Sequence, residues 1–128
     1  MTEVQEIEME IKQIALPEID LKKYIGKKAK IESVKTFEHP QHGPYVQVAS
    51  DLLDTIEGGS KNIEIRATMA FGLHQDKEGT WGWGEKTKLG KLLKEFGVTH
   101  PNELVGRDIT CQIGKRKDGR DRLEFVKG

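Results

Sequence analysis

The sequence predicts an all-β fold carrying one main helix: five short strands curled into a Greek-key barrel, with the helix between strands three and four. Three observations lead there. In "NIEIRATMAFGL", residues 62–73, Ile63, Ile65, Ala67, Met69, Phe71 and Leu73 occupy strictly alternate positions, the period of a strand with one buried face. The clearest helical period lies in "TKLGKLLKEFG", where Leu89, Leu92, Leu93 and Phe96 recur at i, i+3, i+4 and i+7. Near the end, Asp118-Gly119 separates two alternating segments, a strong hairpin signal because both residues tolerate positive φ.

In chain order, the first sixteen residues keep no single period, and Pro17 ends whatever precedes it. "LPEIDLKKYIG" reads as a short helical turn stopped at Gly26. "KKAKIESVKTFE" alternates until Val34 breaks the parity, which predicts a bulge that bends the first strand. "HPQHGPY" is a turn-rich loop. In "YVQVAS", the second strand, Val46 and Val48 face one way, and Tyr45, Gln47 and Ala49 the other. "DLLDTIEGGSK" reads as a connection into the third strand, whose second face holds Glu64, Arg66, Thr68 and Ala70. A loop with a short extended piece, "HQDKEGTWGWG", leads to the helix, with Thr87 as N-cap and Gly97 as terminator. Its wet side carries Lys88, Lys91 and Lys94. "THPNELVG" places a proline at a first helical position, predicting a second short turn. Ile109, Cys111 and Ile113 then mark the fourth strand, and Leu123 and Phe125 the fifth.

At 128 residues the chain has the size of one domain able to bury a core. Charged residues make up 33%, and no apolar run reaches membrane-spanning length, so no membrane partner is expected. The N-terminus is acidic where a targeting peptide is basic, which points to a cytoplasmic protein. A single cysteine excludes an internal disulfide and a cysteine-rich zinc site, and its alternating context predicts a buried thiol. High charge, with two asparagines and one cysteine, is the composition expected of a heat-adapted protein. Net charge is zero but uneven: residues 1–20 carry six acids and one base, so the remainder carries +5. Residues 1–20 are therefore read as an acidic arm, and 21–128 as one barrel domain.

The element order across residues 26–126 resembles the OB-fold, a five-stranded Greek-key barrel with its helix between strands three and four, the alternative being another small α+β barrel or sandwich. "YIGKKAKIESV" and "NELVGRDITCQI" are similar to phrases in small phage and archaeal single-strand-binding-type proteins. The resemblance implies single-stranded DNA or RNA as partner, bound with little sequence specificity on strands two and three and on the loops joining strands one–two and four–five. It implies neither enzyme activity nor a cofactor.

The residues themselves speak against catalysis. There is no P-loop, nucleophile elbow or glycine fingerprint between a strand and a helix. His39 and His42 have metal-like spacing but lack a clear third ligand, so no metal is assigned. Binding chemistry is better represented. Single-strand binders combine cations along the phosphates with rings on which bases stack. Tyr45 and Gln47 on strand two, beside Arg66 on strand three, form such a patch on paper. If Asp118-Gly119 is a two-residue turn, Lys117 pairs with Arg120, Arg116 with Asp121 and Lys115 with Arg122. The tip then carries Lys115, Arg116, Lys117, Arg120 and Arg122 against two acids. The same charges also suit an exposed edge hairpin kept soluble by its cations.

Phe37, Phe71, Phe96 and Phe125 are assigned to the core. Trp81 and Trp83 divide, Trp83 sealing the barrel under the helix and Trp81 partly exposed as a surface ring. The alternative is a protein-interaction or structural module without nucleic-acid binding, since OB-like barrels host many functions. The acidic arm is suited to a protein partner, or to folding back over a basic groove as a nucleic-acid mimic.

Overall fold

The computed structural model describes residues 9–15 and 19–128. Most of the acidic arm and Pro17 fall outside the described residues; residues 9–15 have no strand or helix and are exposed. A 3-10 turn at Leu21–Tyr24, capped by the Asp20 side chain, leads into β1, Lys28–His39. The sheet is built around this strand. Its first residues pair with β8 (Asp108–Lys115), and from Ile31 onward it pairs with β2 (Gly43–Ser50). With β5 (Thr68–Gly72) and β9 (Asp121–Lys127), the five form one antiparallel sheet ordered β5-β2-β1-β8-β9.

The expected closed barrel is not formed. β5 and β9 approach each other, but no ladder joins them, and the sheet stays open along that seam. Its inner side is filled by Ile31, Val48, Ile109, Cys111 and Phe125 together with Leu89, Leu93 and Leu104, all almost fully buried. Cys111 is a buried free thiol as predicted, and burial pushes its pKa up, away from the reactive thiolate form.

The bulge in β1 sits at Glu32, two residues before Val34: Ile31 faces Ser50, and the next pair is Ser33 with Ala49. The inserted residue switches parity, which turns Val34 toward the core beside Ile31. The same switch turns Phe37 outward, where it is 40% exposed, so its assignment to the core does not hold.

The predicted third strand is two strands. β4 (Lys61–Ile65) pairs with β3 (Asp54–Gly58) in a hairpin that occupies the supposed connection, while β5 pairs with β2. The chain changes partner at Arg66-Ala67, and Ser50 holds the change in place. The Ser50 N–H donates to the Ala67 carbonyl at 2.8 Å, and the Ala67 N–H donates to Ser50 Oγ at 2.9 Å. Inward alternation runs straight through the break, with Ile65, Ala67 and Phe71 all buried.

After a small hairpin of β6 (His74–Gln75) and β7 (Trp81–Gly82), helix α1 spans Lys88–Phe96. Thr87 Oγ1 accepts from the Gly90 N–H at 3.2 Å, and Gly97 ends the helix at φ 70°, both as predicted. No described helix is long and apolar enough to cross a membrane.

A local pseudo-twofold relates the two turns that lead into the sheet. The second 3-10 turn, Pro101–Leu104, precedes β8 as the first precedes β1. Ile25 and Val105 have matching backbone angles (φ −58°, ψ 129° against φ −59°, ψ 130°), followed by Gly26 at φ 84° and Gly106 at φ 85°. The bonds match too. The Gly26 N–H donates to the Cys111 carbonyl at 2.9 Å, and the Gly106 N–H to the Ile31 carbonyl at 2.8 Å. An added Cβ meets nothing within 4 Å at either glycine, so only the left-handed backbone resists a side chain. Gly26→Ala and Gly106→Ala should each cost ~1–2 kcal/mol in a denaturant titration, and by similar amounts. Very different losses would mean the two turns are not equivalent.

Asp54 ties the first turn to β3. The Tyr24 hydroxyl donates to Asp54 Oδ2 at 2.7 Å, and Lys23 Nζ lies 3.5 Å from the same oxygen. The Tyr24 hydrogen bond first, then that from the Thr55 N–H, holds the Asp54 carboxyl below its usual range. A depressed folded-state pKa adds stability above the unfolded carboxylate value, and that stability is lost as pH falls through the folded value. Asp54→Asn should therefore flatten the stability–pH curve below about pH 4, the ordinary carboxylate range. An acid limb identical to that of the parent protein would exclude this contribution.

Candidate nucleic-acid interface

The outward face of β1, β2 and β5 is set by register. Tyr45 lies between Phe37 and Gly72, and Gln47 between Lys35 and Ala70. Side chains directly opposite on one sheet face touch, and the Phe37 and Tyr45 rings stack with centroids 5.6 Å apart and 26° between planes. Small residues on β5 leave open space beside them. The result is a shallow dish of about 390 Å³, floored by Gln47, Ala70 and Gly72 and rimmed by Tyr45, His39 and His42. The two imidazoles lie 4.6 Å apart, and His39 Nδ1 accepts from the Gln41 N–H at 3.1 Å. No group of three or more metal-ligating side chains occurs among the described residues.

Tyr45 and Gln47 thus lie on one exposed face, as the alternation of β2 predicts. Sequence reasoning missed Phe37 and Lys35 as their neighbours. The signal was present in the broken parity of β1, because a bulge after Ile31 decides which side Phe37 takes.

Arg66 does not join them. It pairs with Glu32, lies 3.8 Å from Glu64, and donates to the Ser50 carbonyl at 3.1 Å. Ser50 is five residues along β2 from Tyr45, ~17 Å at about 3.3 Å per residue. Its guanidinium fastens the β4–β5 turn.

The β8–β9 hairpin also differs from expectation. Lys115 faces Asp121, and Gly114 faces Arg122, one residue out of the predicted register. The loop has three residues rather than two: the Arg116 N–H donates to the Arg120 carbonyl at 2.8 Å, and the Gly119 N–H to the Arg116 carbonyl at 2.9 Å. Only Gly119 takes positive φ, 85°, whereas a two-residue turn needs two such residues. The shift sets Lys115 against Asp121, and two further pairs form within the hairpin between residues two apart. Lys115 bonds Asp121, Arg122 bonds Glu124, and Arg120 Nε lies 3.6 Å from Asp118. Arg116 and Lys117 enter no ion pair among the described residues. β8 meets β1 only at Lys28–Lys30, whereas the ring pair stands at the other end of that strand.

The tryptophans divide, but Trp83 is half-buried beside the second 3-10 turn and seals no barrel end under the helix. Trp81 is 48% exposed. Trp83 packs against the core and meets His100 edge-on, centroids 5.6 Å apart at 78°. Both line a cleft of about 330 Å³ with Val34, Thr36, Val46 and Pro101, on the inner side of the β1–β2 hairpin. Trp81 lines that inner cleft, and its ring also reaches Gly43 at the tip of the hairpin.

Lys35 borders the face of the dish from β1, opposite Gln47, and on the β5 side a cation comes from α1. Lys88 lines a groove with Ala70, Phe71 and Gly72, and the first and last of these also floor the dish. Lys88 stands in the first helical turn, which holds no acid. A cation there runs against the helix dipole, an adverse term of about 0.3–1 kcal/mol at low salt.

Comparison of the chain with protein-family models, with curated proteins and with solved structures found no match.

Proposed function

We propose that this chain is an OB-like domain that binds single-stranded nucleic acid, with little sequence preference, across the outward face of β1, β2 and β5. The order β5-β2-β1-β8-β9, with β5 and β9 approaching each other, supports this reading, since pairing along that seam would close a five-stranded barrel. In sequence, α1 stands between the third and fourth of these five strands. The observation that carries the proposal is the stacked Phe37–Tyr45 pair beside an open dish with an amide in its floor. Rings on a β-face present stacking surfaces that every base satisfies, which suits sequence-tolerant binding. Gln47 adds a hydrogen-bond donor and acceptor for a base edge.

The test is anisotropy of a labelled oligonucleotide across a salt series. Binding should be measurable at low salt and weaken linearly on a log–log plot. No binding at low salt would turn the reading to a protein-interaction module. One observation favours that second reading: Arg66, Lys115, Arg120 and Arg122 are already engaged by the chain's own acids.

A further inference from the structure

We infer that the bound strand leaves the Phe37–Tyr45 dish across β5 and runs along the lysine face of α1, with Lys88 and Lys91 as its phosphate contacts. The inference rests on the single-strand-binding reading and gives that site its path and polarity of charge.

Three depressions carry it. The dish shares Ala70, Phe71 and Gly72 with the groove that Lys88 lines, and that groove shares Phe71 and Lys88 with a third, which reaches Lys91. Through these shared residues the three adjoin across the edge of β5, with Tyr45 at one end and Lys91 at the other. Lys88 and Lys91 enter no ion pair among the described residues, although Glu95 lies one turn from Lys91 and lines the same groove. The hairpin cations expected to meet the phosphates are largely spent on Asp118, Asp121 and Glu124, and they lie beyond the far end of β1. Lys35, opposite Gln47 on β1, stands on the ring face itself, and on the β5 side of the dish the cations lining the adjoining grooves are Lys88 and Lys91. Charge complementarity and continuity with the ring face commit this track to a nucleic-acid backbone.

The experiment compares the salt dependence of oligothymidylate binding by the full chain and three variants. Each phosphate contact on a single strand contributes about 0.7 to the slope of log K against log salt. Lys88→Gln with Lys91→Gln should weaken binding and lower that slope by about 1.4. Lys88→Arg with Lys91→Arg should keep it, and Arg116→Gln with Lys117→Gln should leave it unchanged. If the hairpin variant lowers the slope and the helix variant does not, the track is wrong while the ring-face reading stands. If the parent chain does not bind at low salt, both fall. Both helix lysines are exposed, and an unchanged thermal melt confirms that the variants fold.

Discussion

A Phe37→Ala, Tyr45→Ala double variant should lose ~2–6 kcal/mol of oligonucleotide affinity, taking about 1–3 kcal/mol for each stacked base. In dissociation constant that is roughly 30-fold at the least and about 10⁴-fold at the most. The two rings touch, so the single variants should not sum to the double. Each alone leaves its partner's face open to a base, and the first truncation should cost less than the second. Phe37 is 40% exposed and Tyr45 half-buried on the outward face, so the fold should survive the change. Anisotropy titration at fixed low salt measures the loss, with a thermal melt as control. A folded double variant that binds as tightly as the parent removes this face from the interface.

Gly90→Ala should destabilise the protein by ~1–3 kcal/mol, the usual cost of overpacking. Helix propensity alone predicts the opposite sign, since alanine exceeds glycine by about 1 kcal/mol in a helix interior. The difference comes from the chain just before the helix. A Cβ on Gly90 would lie 2.7 Å from the Glu85 carbonyl oxygen and closer still to that of Gly84. Both obstacles are backbone, and the Gly84 oxygen is further held by the Thr87 hydroxyl at 2.6 Å. Neither can yield without moving the cap that starts α1. Urea titration decides the sign, and a variant more stable than the parent would mean that the "WGEKT" approach to the helix relaxes freely. The dish and the α1 lysines are separated by only β5, so the same variant should also disturb oligonucleotide binding.

The candidate site was half legible. Tyr45 and Gln47 could be placed from the alternation of β2 because Val46 and Val48 commit that strand's other face to the core. Phe37 was legible only through the parity break before Val34, since an aromatic beside a turn packs into a barrel end as readily as onto its surface. Only the bulge at Glu32 settles its side. Arg66 and the hairpin cations were located correctly in the chain but not in their company. Ion pairing depends on cross-strand register, and a one-residue change from a two- to a three-residue loop set Lys115 against Asp121 instead of Arg122.

By itself the sequence determined most of the buried set, Phe37 excepted, and where the local punctuation falls. The N-cap at Thr87, the stop at Gly97, the 3-10 turn before Gly26 and the inward run from Ile63 to Phe71 all arise from side-chain period and backbone preference, which act over a few residues. Partnership was decided by tertiary structure alone. One unbroken alternation serves two strands that pair with different neighbours, since burial repeats every second residue whichever strand supplies the hydrogen bonds. For the same reason no local signal could tell that the sheet stays open between β5 and β9, or that Lys88 of α1 comes to rest against β5.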